Sequence, residues 1–372
     1  MDKKIWLSPP HLTGEEQQYI KEAFDTNWIA PKGTNIEALE EAIKKYTKTQ
    51  HCTVLTSGTA AIHLALIILG IKEKDEVICP TFTFAATINP VCYQKAIPIF
   101  VDSERETQNM SPKILESTIK DRIAKGKKPK AILLVHIYGM PAKIDQIQAI
   151  ATKYQIPIIE DAADTLGATY KNQKVGTFGE IGIYSFNGNK IITTSGGGAI
   201  ISNKKEHTEK AKYLATQARN EAPHYQHTEI GYNYRMSNIV AAIGRGQMEV
   251  IDDRIKARRE NFKKYKKELK EIKEITFTEE PENTKSNRWL TTIQTESYQK
   301  REKIRKQLQK EKIETRPLWK PMHLQPIFKK YPAYTNGTAE DLFNKGLCLP
   351  SGSSLEKADI QRIVKSIKKA YQ

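Results

Sequence analysis

Between about residues 50 and 202, short apolar runs alternate with longer segments that have helical periodicity. Short runs of this kind indicate buried strands, and an intervening helix lets each strand run parallel to the one before it. The sequence therefore predicts an α/β fold whose large domain contains a mainly parallel seven-stranded sheet. The predicted strands are Thr53–Leu55, Glu76–Cys79, Ile97–Asp102, Ala131–Val135, Ile156–Asp161, Gly182–Phe186 and Gly198–Ile201.

Helical patterns lie between several of these strands and also follow the last one. From Ser237 to Ile275 the pattern predicts one long helix, whose second half is dense in charged residues, and a polar break follows at Glu279–Ser286. We therefore expect a large domain over residues 1–250 and a small C-terminal α+β domain over residues 251–372. The helices predicted between strands are Thr59–Leu69, Ala85–Gln94, Pro112–Ile123 and Ile144–Tyr154.

The chain of 372 residues carries a net charge of +16. Such an excess favours nucleic acids, acidic membranes or phosphorylated small molecules as partners, although compositional bias explains it equally well. No nucleic-acid-binding motif is present, and the longest apolar run, Ala60–Gly70, is much shorter than the roughly 20 residues of a membrane span. We therefore expect neither a nucleic-acid partner nor a membrane partner.

The cysteines indicate a reducing compartment. All four are scattered through apolar segments, and no pair has the spacing of a metal site. The N-terminal residues include lysines but lack the apolar core of a signal peptide. We therefore expect a cytoplasmic protein that holds no metal. The cysteines are Cys52, Cys79, Cys92 and Cys348.

Two uncharged segments follow predicted strands, at the sheet edge where α/β proteins bind ligands. Thr56–Ala61 has a glycine at the start of a helix, where free N–H groups can bind a phosphate, although an ordinary helix cap is the simpler interpretation. Pro80–Thr87 contains Phe82 and Phe84. Either ring could lie on a planar cofactor, and a place in the core is the simpler interpretation for Phe82.

Two other strand ends carry charge. One apolar strand ends at Glu160 and Asp161, where a buried carboxylate needs a partner such as a cationic ring nitrogen, a metal or an arginine. A solvated carboxylate is the alternative. Lys190 follows the next strand and is the single charged residue from Ile181 to Ile201. A desolvated lysine becomes a nucleophile that can form a Schiff base.

Together, these four features match the requirements of pyridoxal 5'-phosphate. Its phosphate needs N–H donors, its aldehyde needs a lysine, and its pyridine nitrogen needs a carboxylate that keeps it protonated. The sequence offers a helix start, an aromatic side chain, Asp161 and Lys190, all at predicted strand ends. We therefore predict a pyridoxal phosphate enzyme.

The segment around Lys190 resembles the lysine motif of the DegT/StrS-type nucleotide-sugar aminotransferases. It reads Ser185-Phe186, three residues and then Lys190, and a glycine-rich run follows. Members of this family are fold type I pyridoxal phosphate enzymes, and the resemblance runs along nearly the whole chain. It is also carried by Asn27–Pro31, Ser57–Ala61, Pro80–Phe84, Glu160–Ala163, Gly231–Met236 and Cys348–Gly352.

Within this family, Ser185–Gly198 and Arg316–His323 resemble the aminotransferases of UDP-N-acetylbacillosamine biosynthesis. The resemblance implies transfer of an amino group from L-glutamate to C4 of a UDP-2-acetamido-2,6-dideoxy-hexos-4-ulose, for bacterial glycan synthesis. Another UDP- or dTDP-keto sugar and amination at C3 are open alternatives. A basic regulatory protein that binds polyanions on the same fold is the alternative from another class.

The resemblance also implies roles for individual residues. Lys190 would form the Schiff base, Asp161 would pair with the pyridinium nitrogen, and Phe84 would stack on the ring. The phosphate would be held by Gly58, Thr59 and Ser185, and by Asn233 from the second subunit of a homodimer with shared active sites. The sugar-nucleotide pocket would be lined by Asn27, Trp28, Ile29, Ala30, Arg235, Asn287, Arg288, Arg316, Trp319 and His323.

Two positions depart from the common family pattern. Asp164 stands near the expected phenolic oxygen of the cofactor, where many members have Gln or His. A carboxylate there would repel a phenolate unless it is protonated or turned away. Gly196 stands where many members have Glu, a form that resembles the bacillosamine-type subgroup. The dehydratase branch of the family replaces the lysine, so the presence of Lys190 argues against that branch.

Overall fold

A computed structural model describes residues 3–371. Helices cover both faces of a large sheet, and the chain also forms a smaller sheet of four strands and a short three-stranded sheet. None of its helices combines the length and the apolar character that crossing a membrane requires. The α-helices are α1 (Glu16–Asp25), α2 (Thr34–Thr47), α3 (Gly58–Ile68), α4 (Ala85–Tyr93), α5 (Pro112–Ala124), α6 (Ile144–Tyr154), α7 (Lys205–Ala215), α8 (Asn238–Glu249), α9 (Ile251–Glu268), α10 (Tyr298–Lys310), α11 (Thr338–Lys345) and α12 (Lys357–Tyr371).

The strands vary in length from two to five residues. Short 3-10 helices at Ile137–Gly139 and Met322–Leu324 lie in two of the connections. The strands are β1 (His51–Leu55), β2 (Glu76–Pro80), β3 (Ile97–Val101), β4 (Ala131–Val135), β5 (Ile158–Asp161), β6 (Thr169–Tyr170), β7 (Gln173–Lys174), β8 (Ile181–Ser185), β9 (Gly198–Ser202), β10 (Thr276–Phe277), β11 (Thr284–Lys285), β12 (Thr291–Gln294), β13 (Arg316–Pro317), β14 (Ala333–Tyr334) and β15 (Gly346–Leu349).

The large sheet has eight strands in the order β1-β9-β8-β5-β4-β2-β3-β14. Strand β9 is antiparallel to both of its neighbours, and the remaining pairs are parallel. The seven predicted strands and the mainly parallel sheet are therefore confirmed. The eighth strand, β14, was not predicted, and it comes from the C-terminal part of the chain to pair with β3 at the sheet edge.

Strand β4 shows why these apolar runs form the centre of the sheet. All five of its residues are buried, and successive side chains point to opposite faces. Leu133 joins the core cluster that contains Leu64 of α3. Ile132 joins the cluster on the other face, with Leu115 of α5. Helices therefore cover both faces, as the alternating pattern predicts.

The prediction of one long helix from Ser237 to Ile275 is wrong. The structure has two helices, α8 and α9, which are separated at Val250, where φ is −114° and ψ is 13°. Ile255 of α9 packs in the core beside the large sheet. Tyr265, farther along α9, packs in the core of the smaller sheet. Helix α9 therefore contributes side chains to both cores.

The smaller sheet has the order β10-β12-β15-β13, with α10 and α12 packed near it. Its core includes Ile5 from the N-terminal end, whose N–H and C=O groups bond to Lys312 and Glu314. The chain thus crosses the predicted division at residue 250 twice, through Ile5 and through β14. The division itself stays a prediction.

One edge of the large sheet gathers the ends of several strands. Leu55 is paired with Gly198, and Gly198 with Ser185, while Val135 is paired with Asp161. The carboxyl ends of β1, β4, β5 and β8 therefore lie at the same edge of the sheet as the beginning of β9. The segments predicted to be functional start from this edge.

Candidate active site

A cavity of about 590 Å³ lies at this edge, between the large sheet and segments of the C-terminal part. Nine of the residues predicted for cofactor or substrate line it. They come from separate segments of the chain, so the fold brings them together. They are Gly58, Thr59, Phe84, Asp161, Asp164, Ser185, Lys190, Arg316 and Trp319.

The first turn of α3 forms one end of the cavity. Ser57 caps the helix by accepting a hydrogen bond from the Ala60 N–H at 3.0 Å. The N–H groups of the residues after the cap, Gly58 and Thr59, have no partner within a helix and favour an anion. Backbones are close here, because a Cβ on Gly198 would lie 2.4 Å from the Gly58 nitrogen. The open helix start beside Ser185 therefore fits a phosphate.

Asp161 is buried at the end of β5, and both of its contacts are with neutral groups. Its Oδ2 accepts from the Thr87 hydroxyl at 2.7 Å, and its Oδ1 accepts from the Ala163 N–H at 3.2 Å. The Thr87 hydroxyl is also 2.8 Å from that of Thr83. A buried carboxylate of this kind gains from a cation, and a protonated ring nitrogen would supply one.

Lys190 extends its ammonium group into the same cavity. The Nζ atom forms an ion pair with Asp164 and lies 4.2 Å from the centre of the Trp289 ring. Burial raises the pKa of the Asp164 carboxyl, and the charge of Lys190 opposes this rise. The lysine predicted as the nucleophile is thus largely desolvated and has a single close counter-ion.

The loop that carries Lys190 is fastened to distant parts of the chain. The carbonyl oxygen of Asn189 accepts from the Trp289 indole at 2.6 Å and from the Ser8 hydroxyl at 2.7 Å. Arg258, which is buried, donates to the Trp289 carbonyl at 2.7 Å and to the Ser8 hydroxyl at 3.1 Å. Burial lowers the pKa of Arg258 to about 9. These bonds hold the loop that carries Lys190.

Aromatic rings form one wall. The ring of Phe84 is half-exposed at the opening, and its centre lies 5.5 Å from that of Trp319. Tyr138 packs behind Trp319 at 4.8 Å, and its hydroxyl accepts from the Trp319 N–H at 2.8 Å. A planar ligand between this wall and Asp161 would be covered by Phe84.

Two arginines predicted for the substrate lie outside this cavity. Arg235 is buried, and it donates to Glu40 at 2.7 Å and to the carbonyl of Val54 at 3.0 Å. Arg288 is also buried, and its guanidinium lies 3.7 Å from the centre of the Phe262 ring. Burial lowers the pKa of Arg288 to about 10. In this chain, both arginines make contacts that hold the fold.

Asn287 and His323 also lie beside the cavity lining rather than in it. Asn287 donates to the carbonyl oxygen of Asp164 at 2.9 Å, so it helps to hold the turn that carries that carboxylate. His323 lies 2.6 Å from the Thr81 hydroxyl and 3.1 Å from Glu340. Both residues have close polar partners within the protein.

The remaining predicted residues lie on the surface. Asn27–Ala30 form a loop beside the start of α8, where Asn238 donates to the Trp28 carbonyl at 2.9 Å. Asn233 is exposed, close in sequence to the same helix. The structure does not bring these residues into the cavity of their own chain.

Some residues of the cavity were not predicted. Thr87 holds Asp161, Trp289 faces Lys190, and Ser8 and Asn189 line the cavity near the lysine. Glu314 accepts from the Leu7 N–H at 3.1 Å and from Arg316 at 3.1 Å. Thr87 lies within a motif that was singled out. Asn189 likewise lies within the lysine motif. For Ser8, Trp289 and Glu314 the sequence offers no comparable signal, because only the fold places them here.

Comparisons with known proteins agree with this geometry. The model of the DegT/DnrJ/EryC1/StrS aminotransferase family matches residues 10–368. EpsN of Bacillus subtilis (strain 168), which carries a provisional assignment as a pyridoxal phosphate-dependent aminotransferase, is 49% identical over 98% of this chain and 95% of its own length. GDP-perosamine synthase of Escherichia coli O157:H7 is 40% identical over 99% of each chain.

A solved structure extends the agreement to the fold. The crystal structure of a DegT DnrJ EryC1 StrS aminotransferase from Brucella abortus has 30% identity and a TM-score of 0.90, over 96% of this chain and 95% of its own. The predicted fold type I architecture and the predicted cofactor are thereby confirmed, whereas closeness to the bacillosamine pathway stays a prediction. The chain belongs to the DegT/DnrJ/EryC1/StrS aminotransferase family and is a pyridoxal phosphate-dependent aminotransferase.

Proposed function

We propose that this enzyme transfers an amino group from L-glutamate to C4 of a nucleotide-linked keto sugar. The proposed acceptor is a UDP-2-acetamido-2,6-dideoxy-hexos-4-ulose, and the products are the UDP-4-amino sugar and 2-oxoglutarate. The observation that carries this proposal is the single cavity that joins Lys190, Asp161 and the start of α3. The choice of sugar rests on the resemblance of Ser185–Gly198 and Arg316–His323 to the bacillosamine-type enzymes.

The residues of the cavity fit the cofactor. Gly58, Thr59 and Ser185 would hold its phosphate, Asp161 would hold its ring nitrogen, and Phe84 would cover its ring. When bound, the cofactor supplies an aldehyde that reacts with amines and a ring that accepts an electron pair. The neutral contacts of Asp161 and the open helix start of α3 support this arrangement.

Lys190 would act as the base. Its Nζ atom takes the proton from Cα of the amino donor, and a later transfer from Nζ delivers a proton to the sugar carbon. Asp161 would hold the ring nitrogen of the cofactor in place during these transfers. Phe84 and Trp319 narrow the opening, which keeps water from the reacting atoms.

Arg316 is the candidate for nucleotide binding in this chain. It lines the cavity, its side chain is 70% exposed, and its nearest carboxylate is Glu314 at 3.1 Å. A planar guanidinium can pair with two phosphate oxygens at once, so it suits the pyrophosphate of a sugar nucleotide. Glu314 would be displaced as its partner when the nucleotide binds.

We also propose a homodimer in which each subunit completes the other's site. Trp28, Ile29 and Ile230 are 49%, 53% and 83% exposed, which is unusual for large apolar side chains. Trp28 and Ile29 belong to the segment Asn27–Ala30, and Ile230 lies three residues before the exposed Asn233 in the sequence. Burial of that surface against a second copy would let these residues reach the partner's cavity.

Mixing two inactive variants tests the shared site. A mixture of Lys190→Ala and Asn233→Asp subunits should recover part of the wild-type activity, because each mixed dimer keeps one intact site. Sedimentation and mass measurement of tagged subunits would establish that exchange took place. Proven exchange without recovered activity would contradict the shared site.

The substrate is tested with a panel of keto sugars. Purified enzyme with pyridoxal phosphate and L-glutamate is supplied with UDP-, dTDP- and GDP-linked keto sugars, and 2-oxoglutarate and the amino sugar are quantified. The UDP-acetamido sugar should give the highest kcat/KM, with nitrogen at C4 by NMR. A GDP-linked keto sugar is the second candidate, because a relative with 40% identity is a GDP-perosamine synthase. A preference for a GDP-, dTDP- or other keto sugar, or amination at C3, would contradict the proposed substrate.

A further inference from the structure

Two side chains contact the ammonium group of Lys190. Asp164 contributes a carboxylate in direct contact with Nζ, and Trp289 contributes the face of its indole ring at 4.2 Å. A carboxylate and the face of a tryptophan both attract a cation, and both attractions are strong where water is excluded. Both side chains are at least nine-tenths buried.

The protein holds both of these side chains in place. The Oδ2 atom of Asp164 accepts from the Tyr138 N–H at 3.3 Å. The Trp289 indole N–H donates to Asn189 at 2.6 Å, and the Trp289 backbone N–H donates to Oδ1 of Asn287 at 2.9 Å. Asn287 also donates to the Asp164 carbonyl at 2.9 Å, so one amide connects the two sides. The arrangement around the ammonium group is therefore built from fixed parts.

Lys190 is the cation that balances the negative charge of Asp164. Burial raises the pKa of Asp164, and the nearby Asp161 charge adds to the rise, whereas Lys190 lowers it. The Tyr138 phenol and the Cys348 thiol also face this carboxylate, and burial raises the pKa of each, so both stay neutral. Loss of the lysine charge would thus leave Asp164 buried without a cation.

We propose that Asp164 and Trp289 are positioning residues that form a seat for the Lys190 ammonium group during turnover. The inference rests on the proposed role of Lys190 as the base. When Nζ takes the proton, the Cα–H bond of the amino donor breaks and its electron pair stays with the carbon. The positive charge formed on Nζ then lies against the Asp164 carboxylate and the Trp289 ring. The seat is vacated when the proton passes to the acceptor carbon.

A seat that stabilises the ammonium form makes Lys190 a better proton acceptor. It also keeps Nζ on the cavity side, where the proton must be returned. An amide at position 164 can still hydrogen-bond to the lysine, but it does not balance a charge. The proposed function of Asp164 is therefore to balance the positive charge on Lys190. The Gln or His that the resemblance implies at this position in many family members carries no negative charge, so it could not do this.

Chemical labelling of Lys190 tests the seat in the cofactor-free protein. Reductive methylation with 13C-formaldehyde, followed residue by residue with mass spectrometry, reports the fraction of reactive amine at each pH. In Asp164→Asn, the midpoint of the Lys190 profile should move to lower pH by about one unit or more. Trp289→Phe keeps a ring of weaker attraction, so it should move the midpoint less and in the same direction.

A matched control separates the seat from the general charge of the cavity. Glu314→Gln removes a carboxylate that lines the same cavity but is bonded to Leu7 and Arg316 instead of Lys190. Its Lys190 profile should coincide with that of the wild type. A profile of Asp164→Asn that coincides with the wild type, or one that Glu314→Gln shifts equally, would overturn the proposal.

A second measurement distinguishes failure of the seat from failure of the proposed function. Cofactor binding is followed by visible absorbance, and proton removal by the isotope effect with Cα-deuterated glutamate. In Asp164→Asn the cofactor should bind, while proton removal slows about tenfold or more and its acid limb moves to lower pH. Absence of the absorbance band in the wild type would reject the function. An unchanged rate and pH profile in Asp164→Asn, with a normal band, would reject the seat.

Discussion

Strand β5 ends in two adjacent carboxylates whose hydrogen-bonding environments differ. Glu160 and Asp161 are both buried, but their side chains point to opposite faces of the sheet. Glu160 accepts backbone N–H groups of Gly176, Phe178 and Gly179 at 2.5–2.9 Å. Asp161, by contrast, accepts one hydroxyl and one N–H, and it borders the cavity.

A histidine completes the environment of Glu160. The Nδ1 atom of His136 accepts from the Ala142 N–H at 3.0 Å, so Nε2 carries the hydrogen and donates to Glu160 at 2.9 Å. Burial acts to raise the pKa of Glu160, but the hydrogen bonds from His136 and the backbone outweigh it and lower the pKa. The comparison teaches that a carboxylate with satisfied bonds serves the fold, whereas one with few partners beside a cavity is available to a ligand.

The largest effect on turnover is expected from Lys190→Ala, which tests the cavity that Asp161 borders. Without the amine there is neither a nucleophile for the cofactor nor a base for the proton, so turnover should fall by at least about a thousandfold. The fold should survive with a lower melting temperature, because Asp164 then lies buried without its cation. Steady-state kinetics and calorimetry measure both. Turnover within tenfold of the wild type would contradict the role of Lys190.

Asp161→Asn should cost roughly a hundredfold to a thousandfold in turnover, since a neutral amide no longer stabilises a protonated ring nitrogen. Cofactor affinity should also fall, which a titration of visible absorbance would show. The free energy of unfolding of the cofactor-free protein should stay close to that of the wild type. A normal rate with a normal absorbance spectrum would mean that another carboxylate has this role.

Glu160→Gln should show the reverse pattern. The substitution leaves buried donors without a charged acceptor, so the free energy of unfolding should fall by about 3 kcal/mol, roughly a hundredfold in the unfolding equilibrium. The folded fraction should retain its kcat within a few-fold. Denaturant unfolding and activity per folded molecule test the two statements. An unchanged stability would remove the contrast between the two carboxylates.

The same variant gives a pH test. The pKa of Glu160 is lower in the folded chain than in the unfolded one, so its stabilisation is complete above the unfolded value of about 4.3. This stabilisation is lost as the pH falls through the lower folded value. The difference in unfolding free energy between wild type and Glu160→Gln should therefore narrow below about pH 4. A difference that stays constant there would contradict the assignment.

Arg316→Ala tests the rim of the cavity and should have the smallest effect. Loss of a charge-assisted pair costs on the order of 1.5–3 kcal/mol, so KM for the keto sugar should rise roughly ten- to a hundredfold. KM for glutamate should change much less. Arg105→Ala, which removes an exposed arginine paired with Asp341, is the matched control and should leave both constants unchanged. Equal effects on both substrates would instead place Arg316 in support of the cofactor site or the fold.

The sequence predicts best where one segment carries the whole signal. Lys190 stands alone in an uncharged stretch, and central strands of the large sheet such as β3 and β4 are unbroken apolar runs. Strands such as β14 have two residues, too few for a periodic pattern, and Val250 ends a helix without a glycine or proline. Trp289 reaches the lysine only through the packing of the C-terminal part on the large sheet. No local pattern could indicate that contact.

Segments from both sides of residue 250 contribute to the same sheets and the same cavity. This arrangement limits how the enzyme can evolve. The C-terminal side completes the cavity with residues such as Trp289, Arg316 and Trp319. Strand β14 completes the edge of the large sheet, and Ile5 joins the core of the small one. A recombination event near residue 250 would disrupt the cavity, the edge of the large sheet and the core of the small sheet together. We therefore expect new substrate preferences in this lineage to arise by substitution at the rim rather than by recombination of halves.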